Sequence, residues 1–249
     1  MKVIEPKITC LVMSHMKPTL IEALKSLEQQ TINLNCIEKI IVDSGLWMDL
    51  RPDDEMFKKM SFIYHETIRA GFGEWYFTGE PNNFREKKCP VSYWTNKAIE
   101  LGLVRGKYFC CHYDDDIYYP TFMEKMAGYL DEHPEAMAVR CTQNRTKINP
   151  DGTQTSTSPL EAKSEIVGPH MDCVVDGQQV MMRTEVLTKL KEKYGNELLP
   201  EDPDISSCSH SDGIFLNRMG EIIDKLHFIN EPLCEHRNTV YSTYTPSNK

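Results

Sequence analysis

Three consecutive carboxylates, Asp114, Asp115 and Asp116, follow the apolar run Tyr108-Phe109-Cys110-Cys111 and precede Ile117-Tyr118-Tyr119-Pro120. Carboxylates stacked this closely repel one another, so the arrangement is costly unless a cation or a set of donors neutralises it. A divalent metal with a diphosphate meets that need, because hard cations such as Mg²⁺ share carboxylate, phosphate and water oxygens. The competing reading is an acidic turn open to solvent. Arg85 and Lys97 flank the segment before this cluster, and a guanidinium is a natural bidentate partner for phosphate oxygens. In Arg85-Glu86-Lys87-Lys88 the alternative is an exposed cation.

The elements that must carry these residues read as strand-then-helix units. Lys7 to Met13 is a continuous apolar strand, and Leu20, Ala23, Leu24 and Leu27 recur at helical spacing after Pro18. Ile37 to Asp43 is a second strand ending in Asp43-Ser44-Gly45, and Ser61 to His65 a third. A helix from about Ser92 to Leu103 leads through Gly106 into the strand before the aspartates. Such alternation predicts an α/β fold with a parallel sheet flanked by helices. Ligands of open α/β sheets bind beyond the carboxyl ends of the strands, which is where Ser14, Asp43 and Asp114 to Asp116 fall.

In the second half, Phe122, Met126, Tyr129 and Leu130 mark a helix that stops near His133-Pro134, and Ala136 to Val139 opens a strand. Asn144 to Pro159 is rich in turn-forming residues, which predicts a surface excursion or hairpin. A strand over Gln179 to Met182, a helix over Thr184 to Tyr194, a helix from Ser211 or Asp212 and a strand near Phe228-Ile229 follow, before a polar tail. Trp75, Tyr76 and Phe77 read as part of a glycine-containing loop, there either to stack on the face of a ligand or to pack in the core.

Bulk properties bound the function. The 249 residues are 40% hydrophobic and 26% charged, the composition of a globular protein with a sizeable core. A formal net charge of −9 disfavours a broad nucleic-acid footprint. There is no apolar run of membrane-spanning length and no apolar leader after Met1, so a cytoplasmic location is expected. Nine cysteines without C-x-x-C spacing read as reduced structural thiols.

Ile8 to Ser14, Lys39 to Gly45, Arg85 to Ile99, Gly106 through Pro120, Tyr129 to Pro134, Leu187 to Gly195 and Ser211-Asp212-Gly213 together support a resemblance. In order and separation they are similar to the GT-A-fold glycosyltransferases of family 2, those of spore-coat polysaccharide biosynthesis most of all. The resemblance implies a GT-A (nucleotide-diphospho-sugar transferase) fold over residues 1–249 as one domain. Residues 1–120 would form the nucleotide-binding half, and residues 121–249 an acceptor-binding half with a smaller sheet. It implies that Asp43 accepts the uracil ring N–H, although a strand-end Asp before Ser-Gly also suits a turn cap. By the same resemblance Asp114 touches the ribose or sugar and Asp115 binds Mn²⁺ or Mg²⁺, with Asp116 either a second ligand or a helix cap. Arg85 would hold the diphosphate, Ser14 would line the nucleotide site, and Asp176 would lie on the acceptor side. His236 resembles a late histidine that completes the metal site in many members, its alternative being a structural role. Asp212 aligns with the catalytic base, which without the resemblance reads as a helix N-cap. Glu201, Asp202 and Asp204 are nearby competitors in a proline-rich loop.

The implied activity is inverting, metal-dependent transfer of a sugar from a UDP- or dTDP-sugar to a hydroxyl acceptor: a glycan, a glycoconjugate or a small molecule. Three alternatives stand beside it: a sugar-nucleotide nucleotidyltransferase, a nucleic-acid base glycosyltransferase and a non-catalytic nucleotide-binding module. The first normally needs a glycine-rich phosphate loop, and Ser14-His15-Met16-Lys17 has no glycine. The second draws no support from the acidic balance.

Overall fold

The computed structural model describes residues 6–14, 17, 19–43, 74–77, 90–149, 151–157, 164–171, 174–200 and 211–239. The expected strand at 61–65, Arg85 and the carboxylates Glu201, Asp202 and Asp204 lie outside the described residues.

Strand β1 (Ile8–Ser14) is buried at every position, as a strand covered on both faces must be. Its side chains divide by parity. Ile8, Cys10 and Val12 join one apolar cluster, and Leu11 and Met13 the other. Helix α1 (Leu20–Glu28) lays Leu20, Leu24 and Leu27 on the first cluster, the stripe that its spacing predicts. Each such buried leucine contributes about 2 kcal/mol relative to exposure. Strand β2 (Ile37–Asp43) runs parallel to β1 on one side. Strand β4 (Tyr108–Tyr113) runs parallel to β1 on the other. Helix α2 (Pro90–Glu100) starts two residues ahead of the expected Ser92 and precedes β4.

Strand β3 (Glu74–Phe77) corrects one expectation: Trp75, Tyr76 and Phe77 form a strand parallel to β2 and not a loop. Three aromatics in a row are good strand formers, and a neighbouring strand supplies the hydrogen bonds that a loop would lack.

Beyond β4 the sheet turns mixed. After β5 (Ile117–Tyr118) and helix α3 (Phe122–Glu132) come β6 (Ala138–Ile148), β7 (Gln154–Thr157) and β8 (Val180–Arg183). Helices α4 (Thr184–Tyr194) and α5 (Ser211–Gly220) precede β9 (His227–Asn238). Among the described residues the strands form one nine-stranded sheet, ordered β3-β2-β1-β4-β8-β6-β9-β5 with β7 paired to β6. The strands of the second half therefore continue from β4 through β8 without a break. Within the polar segment, residues 145–148 pair antiparallel with residues 154–157, the hairpin alternative, with Arg145 opposite Thr157. The expected short strand near Phe228 instead runs for 12 residues and carries His236.

Gly106 sets the approach to β4. A Cβ there would lie 2.5 Å from the Thr9 backbone nitrogen, so a bare backbone is required where the chain crosses β1. Its N–H donates to Thr9 Oγ1 at 2.8 Å, and that hydroxyl in turn donates to Glu38 Oε2 at 2.6 Å. The junction thus locks β1, β2 and β4 in register. No helix among the described residues is long and apolar enough to cross a membrane.

Candidate active site

The register of the parallel strands places the acidic cluster. Ser14 is the partner of Asp43 across β1 and β2, and Met13 is the partner of Tyr113 across β1 and β4. Asp114, one residue past Tyr113, therefore leaves the sheet at the edge where Ser14 and Asp43 stand. Ser14 is wholly buried there. Asp114, Asp115 and Asp116 are buried too, at 1%, 6% and 1% exposure, which overturns the reading of a solvated turn.

Burying three carboxylates demands compensation, and the chain supplies cations from two distant segments. Lys17, itself 4% exposed, places Nζ 2.8 Å from Asp115 Oδ2 and 3.2 Å from Asp114 Oδ1. Burial opposes charging this amine, but the attraction of Asp114 and Asp115 outweighs it and holds the pKa above the usual lysine value. Asp116 faces the other way, towards β9. The Arg237 backbone N–H donates to Asp116 Oδ1 at 2.8 Å, and the Arg237 Nε donates to the Asp115 carbonyl at 2.8 Å. The Arg237 guanidinium also pairs with Glu22 on α1. His236 Nδ1 lies 3.3 Å from Asp116 Oδ1 and 3.4 Å from Asp176 Oδ2.

Asp116 and His236 form a pair. Burial pushes Asp116 up to about 7 against the pull of His236. Burial works against charging His236, but Asp116 and then Asp176 outweigh it and raise its pKa to about 9. Asp116 is no helix cap: Thr121 stands at the N-cap of α3, and Asp116 is spent on β9.

Asp176 caps the 3₁₀ turn Gly177–Gln179, accepting from the Gln178 N–H, while Arg145 lies 4.0 Å from its other oxygen. Asp212 sits in the first turn of α5, where its Oδ1 accepts from the Gly213 N–H at 2.9 Å. Its Oδ2 faces the Tyr113 hydroxyl at 3.5 Å. Beneath them is a small apolar cavity lined by Met13, Phe109, Tyr113, Gly177, Leu199 and Asp212. Asn96 on α2 fixes that floor, exchanging two hydrogen bonds with the backbone of Leu199.

Of the sequence candidates, Ser14, Asp114, Asp115, Asp116, His236, Asp176 and Asp212 gather around the ends of β1 and β4. Asp43 ends β2 at the same edge by backbone position. Lys97 pairs with Glu100 on the surface of α2. Among the described residues no three or more His, Cys, Asp or Glu side chains are grouped to hold a metal ion. Asp114 and Asp115 nevertheless fit a cation, because the Lys17 ammonium already sits against both. Lys17, Arg237 and Tyr113 were missed. Neither Lys17, just past the end of β1, nor Arg237, next to His236, carried a local signal of its carboxylate partners.

No family model matches the chain. A curated relative, protein CgeD of Bacillus subtilis (strain 168), is 24% identical over 238 residues, covering 95% of this chain. The chain spans 50% of that relative's length. Among solved structures, S. aureus TarS 1-349 in complex with UDP-GlcNAc superposes with a TM-score of 0.60 at 15% identity, over 93% of this chain and 58% of that one. The mannosyltransferase PcManGT from Pyrobaculum calidifontis, in complex with GDP-Man and Mn²⁺, superposes with a TM-score of 0.56 at 15% identity. That match covers 94% of this chain and 57% of the mannosyltransferase. The fold is therefore GT-A-like.

Proposed function

We propose that the chain is a glycosyltransferase that moves a sugar from a UDP- or dTDP-sugar to a hydroxyl acceptor with inversion at the anomeric carbon. The observation that carries the reading is the convergence of Asp114, Asp115 and Asp212 at the carboxyl edge of β1 and β4, with Tyr113 bridging to Asp212. Solved structures of the same fold bound to UDP-GlcNAc and GDP-Man lend it support.

In this reading Asp43 accepts the N–H of the uracil or thymine ring, and Ser14 lines the nucleotide. Asp114 receives a hydroxyl of the ribose or sugar, and Arg85 binds diphosphate oxygens. Asp115 would hold Mn²⁺ or Mg²⁺, which when bound offsets the charge developing on the diphosphate, while Asp116 and His236, paired with each other, brace Asp115 from β9. Asp212 takes the proton from the acceptor hydroxyl as that oxygen attacks the anomeric carbon and the bond to the diphosphate breaks. Asp212 suits the task by position: one oxygen is anchored by the Gly213 N–H, while the other faces Tyr113 and the cavity. Asp176, across the 3₁₀ turn, would orient the acceptor.

The test compares wild type with Asp212→Asn, using UDP release from a panel of UDP-sugars with Mn²⁺ and thermal shift with UDP. The variant should keep its UDP-induced rise in Tm and lose roughly 10²–10⁴-fold in turnover, the usual contribution of a general base. Unchanged turnover rejects Asp212 as the base. Absence of any UDP response in wild type rejects the donor site.

A further inference from the structure

The ion pair between Lys17 and the strand-end carboxylates goes beyond the donor-site reading on which it rests. Lys17 lies 97 positions before Asp114 and 98 before Asp115, yet its ammonium contacts both, and its backbone N–H also donates to Asp114 Oδ2 at 3.4 Å. All three side chains are nearly fully buried. A buried ammonium is retained only where its partners repay its desolvation, and two carboxylates at hydrogen-bond distance do so. The pair therefore balances the charge of a carboxylate cluster that would otherwise repel itself.

A divalent ion recruited to Asp115 would meet this ammonium at close range. Like charges this near repel strongly in a buried setting, so the two cations cannot share the carboxylates on equal terms. We propose that Lys17, the counter-ion of Asp114 and Asp115, competes with the divalent cation for Asp115, so that loading metal requires the ammonium to leave the pair. The consequence is a protein whose affinity for metal alone is low and is set by this side chain. Once displaced, Lys17 becomes a donor for the diphosphate, an exchange of carboxylate for phosphate oxygens that leaves its charge unchanged.

Titration with Mn²⁺ in the absence of nucleotide, followed by the EPR signal of the free aqua ion, tests this on the full chain. Lys17→Met should bind Mn²⁺ at least tenfold more tightly than wild type. The gain should vanish in the Lys17→Met/Asp115→Asn double variant. Equal Mn²⁺ affinity in wild type and folded Lys17→Met overturns the inference and leaves the donor-site reading standing. Failure of Mn²⁺ to bind wild type or Lys17→Met, even with UDP present, overturns both. A measurement on wild type does not depend on how well the variant folds: acetylation of Lys17 by an amine-reactive ester, read by mass spectrometry. Labelling should be slow in the metal-free protein and rise several-fold at saturating Mn²⁺. Unchanged labelling with Mn²⁺ bound overturns the inference.

Discussion

The Tyr113 hydroxyl stands 3.5 Å from Asp212 Oδ2, joining the end of β4 to the first turn of α5 across 99 positions of sequence. Gly177 makes the approach possible, because a Cβ there would lie 2.5 Å from that hydroxyl. Tyr113→Phe should leave the UDP-induced thermal shift unchanged and lower turnover about fivefold, the value of one long hydrogen bond worth roughly 1 kcal/mol. Gly177→Ala should destabilise by about 1–3 kcal/mol through overpacking. In the Tyr113→Phe background most of that cost should disappear, because the colliding atom is gone, and chemical denaturation of the four proteins reads the coupling.

Asp116 should behave as a structural tie whatever else it does. Asp116→Ala leaves the Arg237 N–H without its buried acceptor and removes the carboxylate beside His236. A loss of about 3 kcal/mol in urea unfolding is expected. Asp116→Asn keeps an oxygen for Arg237 and should cost distinctly less. Equal losses in the two variants would show that the tie to β9 contributes nothing.

His112 sets part of the acid limit of stability. It is wholly buried on β4 and stacked on Tyr118, with Nε2 placed 3.2 Å from the Ala23 carbonyl to donate to it. Its Nδ1 has no hydrogen-bond partner among the described residues. Burial lowers its pKa to about 4, overriding the Ala23 carbonyl that favours the charged ring. Between pH ~6.5 and ~4 the unfolded chain therefore binds the extra proton and the folded chain does not. The resulting stability is full above pH ~6.5 and is lost as pH falls towards 4, by about 3 kcal/mol at most. Urea unfolding of wild type and His112→Asn from pH 4 to 7.5 should show this limb in wild type alone.

Much of the scaffold was legible because its signals are local. The apolar run Ile37 to Asp43 and the periodic Thr184 to Tyr194 correspond residue for residue to β2 and α4. The elements misread depend on partners far away in sequence. Trp75 to Phe77 become a strand because β2 is there to receive them. Only the start of β9 near Phe228-Ile229 was legible, and its polar continuation to Asn238 was not, because its charged positions and Pro232 argue against a strand. Proline donates no hydrogen bond, and the β6–β9 ladder shifts register around Thr142, which pairs with Pro232. In the candidate site the carboxylates stood out by their spacing. Their counter-ions did not, since nothing near Lys17 or Arg237 in the sequence announces a carboxylate about a hundred positions away.

Arg237 bonds at once to Glu22, Asp115 and Asp116, reaching 215 positions back along the chain to the first of these. On the ribosome the acidic cluster must accordingly wait for this arginine, which is synthesised long after the strands it secures. A nascent chain halted before it would hold β1, β2 and β4 with Asp116 still lacking the β9 donor that anchors it. Assembly of the pocket is thus deferred until β9 has been made.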